Sequence, residues 1–237
     1  MAEGVHSPSP TCFCILHGMM VFTVESSVLK DKDFRMYLWV LLLCVLTVFG
    51  SYDPIVWLLE VAPALLGILT ILILIARGVH FPPFLNAVFI IHAFILTVGG
   101  YFSYARVPLF NPDDFMGQAL GWTRNNYDKL GHFMQGVTPY LACRQLLAVR
   151  GVKQTGFFPI FLAVSVSLAV SALYELIEYS TCVFSVDGAD DFVGSQGDPF
   201  DTQTDMLGAF IGALAAVFIF LKFRWKTNLN SCDETGC

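Results

Sequence analysis

The sequence predicts an all-α polytopic membrane protein: a bundle of about six transmembrane helices, both termini cytoplasmic, with a short interfacial helix in the 105–130 connection. Three observations carry that prediction. Of 237 residues, 56% are hydrophobic and only 14% charged, with a mean hydropathy of +0.66, a balance outside that of soluble domains. Apolar runs recur at lengths near the ~17–25 residues needed to cross about 30 Å of hydrocarbon. Lys and Arg are concentrated in alternate connections, as cytoplasmic loops require.

Residues 1–10 are polar and carry Pro and Ser, and the apolar stretch 12–24 is too short to span. With no basic segment ahead of it, it does not read as a cleavable signal. Residues 1–33 are therefore expected to form a tail, loosely attached or interfacial. The first span covers 36–50 and gains length from Phe34 and Tyr52; the next four cover 55–76, 84–104, 131–149 and 157–180, and the last covers 204–223. Pro108, Asn111 and Pro112 break the long connection, after which 115–122 is amphipathic, with Trp122 and Tyr127 suited to the membrane interface. The membrane domain is thus bounded at 34–226, followed by a tail over 227–237. Seven scattered cysteines, with only Cys12 and Cys14 as a C-x-C, suggest no disulfide framework.

Cytoplasmic termini place ten of the 13 Lys and Arg inside and only Arg106, Arg124 and Lys129 outside. Depth follows from that orientation. The fourth span begins at the outer side, where Asp128 and His132 share a helix face. The fifth runs outward and carries Glu175 and Glu178 one turn apart near its end. The sixth starts outside, with Asp205 in its first turn, Asp201 one turn earlier and Asp198 in the preceding loop. Glu60 in the second span lies at a similar depth, whereas His92 is mid-span. Ionisable groups in hydrocarbon cost ~3 to ~10 kcal/mol or more, so a chain that keeps several gives them work.

Each motif has a bland reading beside the functional one. Asp128 and His132 offer the mixed oxygen and nitrogen donors that a transition metal accepts, yet an aspartate also suits a helix N-terminus. Glu175 and Glu178 oppose the negative end of the helix dipole and repel each other. They require compensation from Arg106, Arg124 or a bound cation, or else form a structural clamp. Asp198, Asp201 and Asp205 follow D-x-x-D-x-x-x-D, oxygen donors suited to Mg²⁺, Mn²⁺ or Ca²⁺, or simply acids matched to a helix start. Convergence of three such segments at one face favours a site. Gly208-x-x-x-Gly212, beside Ala209 and Ala213, predicts a tightly packed last helix.

The segments Asn126-Tyr127-Asp128-Lys129-Leu130-Gly131-His132-Phe133, Tyr174-Glu175-Leu176-Ile177-Glu178 and Gly197-Asp198-Pro199-Phe200-Asp201-Thr202-Gln203 resemble the YjdF-type family of small bacterial inner-membrane proteins. The resemblance covers approximately 34–222 and implies a multi-pass protein of the inner membrane without implying a reaction. More distantly, Asp128-Lys129-x-x-His132-Phe133 is similar to the opening of VanZ-like membrane proteins.

From the residues themselves, the first expectation is a metal-dependent hydrolase or transferase working on a lipid-linked or anionic headgroup at the extracytoplasmic face. Asp128, His132, Glu178, Asp198, Asp201 and Asp205 would hold a divalent cation (Mg, Mn or Zn). Glu175 would act as base, and Arg124 or Arg106 would steady the headgroup. Membrane lipids are the expected partners; no basic tract suits nucleic acid. An ion- or proton-coupled carrier and a non-catalytic scaffold or assembly protein are the alternatives.

Overall fold

The structure, a computed structural model, describes residues 28–184 and 196–223. The segment 12–24, the acidic loop beyond Phe184 and the tail after Phe223 lie outside the described residues. Among the described residues seven α-helices follow one another: α1 (Lys32–Leu46, continued by a 3-10 turn Thr47–Gly50), α2 (Pro54–Ala76), α3 (Pro83–Phe102), α4 (Phe115–Leu120), α5 (Tyr127–Val149), α6 (Phe157–Val183) and α7 (Asp201–Phe223). The chain is an all-α, multi-pass integral membrane protein. The first helix starts earlier than hydropathy suggests because the Asp31 carboxylate accepts the N–H groups of Asp33 and Phe34, both at 2.9 Å, satisfying donors that a helix start leaves open. Asp53 does the same for α2, which has Pro54 in its first turn. Ser103, at φ 66°, ends α3 at Phe102, and Gly121, at φ 67°, closes α4, a backbone region that glycine enters without strain.

Five of these helices are long and apolar enough to cross a membrane: Lys32–Gly50, Pro54–Ala76, Pro83–Phe102, Phe157–Val183 and Asp201–Leu221. The sixth long helix, α5, has 23 residues, about 34 Å at 1.5 Å per residue. It is more polar because its polar groups face other helices and not lipid: His132, Gln135 and Arg144 are all buried. Arg144 is held by the Tyr140 hydroxyl at 2.9 Å, by Gln154 Oε1 at 2.9 Å and by the Gln154 carbonyl at 2.7 Å, and lies over the Phe220 ring.

Contacts fix the directions. Tyr37 and Cys44 on α1 meet Asn86 and Thr97 on α3, so these two run parallel. Gly100 near the end of α3 packs on Trp57 and Val61 near the start of α2. Ser167 on α6 donates to the Gly136 carbonyl of α5, while Glu175 meets His132, so α5 and α6 are antiparallel. Lys129 reaches Asp205 and Arg144 reaches Phe220, so α5 and α7 are parallel. The starts of α2, α5 and α7 and the ends of α1, α3 and α6 therefore share one end of the bundle.

Tyr127 does not lie in the interface as expected. It is buried, its hydroxyl donating to the Ile95 carbonyl at 2.9 Å. On α4, Phe115 and Leu120 are exposed, as an interfacial helix requires.

Candidate functional site

The connection from α3 to α5 is built around Asn125, which is almost fully buried. Its amide donates to the Val107 carbonyl and to Asn111 Oδ1, both at 2.9 Å, and its own oxygen accepts the Tyr127 N–H. Across the gap, Gln196 exchanges two hydrogen bonds of 2.9 Å with the Asn125 backbone. This ties the approach to α5 to the approach to α7. Arg124 is thereby set between the two helix starts. Its Nη2 donates to Asp128 Oδ2 at 2.6 Å and to Asp201 Oδ1 at 2.5 Å. Lys129 Nζ donates to Asp201 Oδ1 and Asp205 Oδ1, both at 2.8 Å. Burial pulls the Arg124 guanidinium pKa down, but the Asp128 and Asp201 carboxylates outweigh it and hold the group above its ordinary value.

One layer deeper, the balance changes. His132 Nε2 lies 3.6 Å from Glu175 Oε1 and 3.8 Å from Asp205 Oδ1. All three residues are more than nine-tenths buried. Glu175 Oε1 and His132 Nδ1 are buried with no hydrogen-bond partner. The Tyr174 ring stands edge-on to His132, with centroids 5.9 Å apart. Glu178 is buried one turn beyond Glu175. Glu60, fully buried on α2, accepts the Tyr104 N–H at 3.1 Å. Among the described residues, Arg124 and Lys129 pair with Asp128, Asp201 and Asp205, and no Lys or Arg pairs with Glu175 or Glu178. A buried carboxylate without a compensating charge is costly, so the inner layer is short of positive charge.

Residues 34–226 match the family described as "Predicted membrane protein (DUF2238)". The chain belongs to that family. It is 42% identical over 190 residues to the inner membrane protein YjdF of Escherichia coli (strain K12), covering 78% of this chain and 87% of that protein. No solved structure matches the chain.

In this member of DUF2238, the residues singled out in the sequence separate into groups. Asp128, Asp201 and Asp205 come together around Arg124 and Lys129, while His132, Glu175 and Asp205 come together beneath them. Asp198 does not continue the helical series. It precedes α7, and its Oδ1 accepts the Phe200 N–H at 2.9 Å, so the turn takes its carboxylate. Arg106 is exposed and lies over the Tyr52 ring, 4.1 Å from its centroid. Lys129, Asn125 and Gln196 are structural parts of the site that motif reading overlooks. Lys129 stands in the motif that begins α5, yet motif reading gives it no role beyond its loop charge, although it follows Asp128 directly.

Proposed function

We propose that the chain binds a divalent cation between His132, Glu175 and Asp205, with Glu178 alongside, and uses it on an anionic, lipid-linked headgroup as a hydrolase or transferase. The observation that carries this reading is the spacing of the donor atoms. Four ligands held tetrahedrally at about 2.1 Å lie roughly 3.4 Å apart. The His132 nitrogen stands 3.6 and 3.8 Å from its two carboxylate oxygens, and the Glu175 oxygen in that set has no other partner. A mixed imidazole and carboxylate set suits Zn²⁺ or Mn²⁺ better than Ca²⁺. Asp128 and Asp201 are assigned to the ion network, because Arg124 pairs with both; Asp205 is shared, its Oδ1 also accepting from Lys129 at 2.8 Å. A cation at this point would polarise a phosphoryl or acyl oxygen, and Arg124, buried in its pairs with Asp128 and Asp201 one layer above, would steady the anionic group.

A structural clamp is the second reading, favoured by the three short ion pairs that Arg124 and Lys129 make to Asp201 and Asp205 of α7. Elemental analysis of protein purified in mild detergent without chelator separates the two. The expected result is a bound divalent metal in the wild type and in Asp128→Asn, lost in His132→Ala and Glu175→Gln while all variants remain folded. Wild-type protein free of divalent metal rejects the cation reading and leaves the clamp.

A further inference from the structure

Beneath the acidic layer, α2, α3, α5 and α6 enclose a cavity of about 360 Å³, within the range of small-molecule sites. Its walls are almost wholly apolar, and five of the residues lining it, Leu66, Gly67, Val170, Leu173 and Ile177, are exposed on the outside of the bundle. The cavity therefore opens sideways into hydrocarbon and not towards water. Two wall residues also belong to the candidate site. Tyr174 stacks edge-on against His132, and Gln135 lies one turn below His132 on α5, about 4.5 Å along the axis. Gln135 Oε1 and Thr138 Oγ1 are buried without a hydrogen-bond partner, as is His92 Nε2 on the facing helix. Pro139 has no N–H to give the Gln135 carbonyl. An otherwise oily slot thus carries buried polar atoms on its inner wall, Gln135 next to the acidic layer and Thr138 and His92 about one turn deeper.

We infer that this cavity seats a hydrocarbon chain of a membrane lipid entering between α2 and α6, with the polar end of that same lipid at Gln135 below His132. The inference deepens the cation reading and rests on it only for what happens to the headgroup. Each feature matches an amphiphile: an apolar slot open to the bilayer, unsatisfied hydrogen-bonding atoms on its inner wall, and a charged layer next to Gln135. Bulk lipid covering the bundle would need neither the cavity nor these polar atoms. The slot also explains Gly67, which lines it and has nothing within 4 Å of where a Cβ would stand. A larger side chain there enters the slot without striking the fold.

The test uses the full chain in nanodiscs of phosphatidylethanolamine and phosphatidylglycerol, with a phosphatidylglycerol bearing a diazirine on one acyl chain as probe. Photolabel is expected to concentrate on 63–71 and 170–177, and to fall several-fold in Gly67→Trp and in Val170→Trp. Label spread evenly over lipid-facing positions, including Trp39 and Leu43 on α1, overturns the inference even if neither variant folds. So does undiminished label in folded Gly67→Trp. Metal content measured on the same samples keeps the two proposals apart. Metal-free wild type with focused label removes the cation and leaves the slot, whereas bound metal with even label does the reverse.

Discussion

Lys129 holds more of the acidic layer together than any carboxylate does. Its ammonium touches Asp201 and Asp205 at 2.8 Å and Asp128 at 3.5 Å, so one charge serves three acids on two helices. Removing one partner of a buried ion pair costs about 3 kcal/mol or more, because the partner charge is stranded. Lys129→Met should therefore destabilise the fold by that order, read as a lower melting temperature in detergent. A divalent cation added to the buffer should restore part of the loss, and Lys129→Arg should restore most. Melting of Lys129→Met at the wild-type temperature would show that the network contributes nothing to stability. This residue also marks where sequence reading stops. That acids from separate spans meet at one end followed from their positions along the helices and from the loop charges. Which cation meets which acid did not follow, because side-chain reach across a helix interface leaves no periodic trace. Asp198 shows the converse. Its spacing matched a helical face, but a helix that begins at Asp201 leaves it in the turn.

At the scale of elements, the site depends on how closely α5 and α7 approach. A Cβ on Gly136 would run into the Ala209 carbonyl, and one on Gly212 into the Phe133 carbonyl; both obstacles are backbone and cannot rotate away. Ala209 and Ala213 are fully buried in the same seam. The two helices thus pack with little between their backbones, as small residues allow in membranes, and this keeps the Lys129 ammonium within reach of Asp205. Gly212→Val and Gly136→Val should force the pair apart, destabilising by about 1–3 kcal/mol or more from overpacking. Gly208→Ala should be nearly neutral, since a Cβ there meets ordinary contacts at 3.7 Å and beyond. Equal melting of all three variants would show that the seam tolerates separation. The last helix was legible as tightly packed from its small residues, but the partner glycine on α5 was not, because one glycine in a polar helix carries no pattern. Some span ends, such as the starts at 36, 131 and 204, shift for a related reason, while those at 50, 76, 149 and 223 coincide with the helices. Hydropathy marks where residues become apolar, whereas Asp31, Asp201 and the turn at Ser103 mark where hydrogen bonding starts and stops.

For the whole molecule, the alternation of six long helices places every acid of the site at one end, and Lys and Arg counts decide which side of the membrane that end faces. The counts rest on loop composition, which biases insertion without dictating it, whereas the shared end rests on contacts within the bundle. The two can be tested apart from any function. Asp113 is exposed in the connection before α4, at the acidic end, and Lys153 is exposed in the turn between α5 and α6, at the opposite end. In a background with the native cysteines replaced by serine, Asp113→Cys should react with a membrane-impermeant maleimide in spheroplasts of a bacterial host. Lys153→Cys should react only after permeabilisation. The reverse pattern would leave the bundle and its acidic layer intact but turn them towards the cytoplasm. Any headgroup reaching His132 and Glu175 would then come from the inner leaflet. Labelling of both positions from outside would contradict the crossing of α5 itself, the most polar of the long helices, and with it the meeting of α5, α6 and α7 on which the cation site depends.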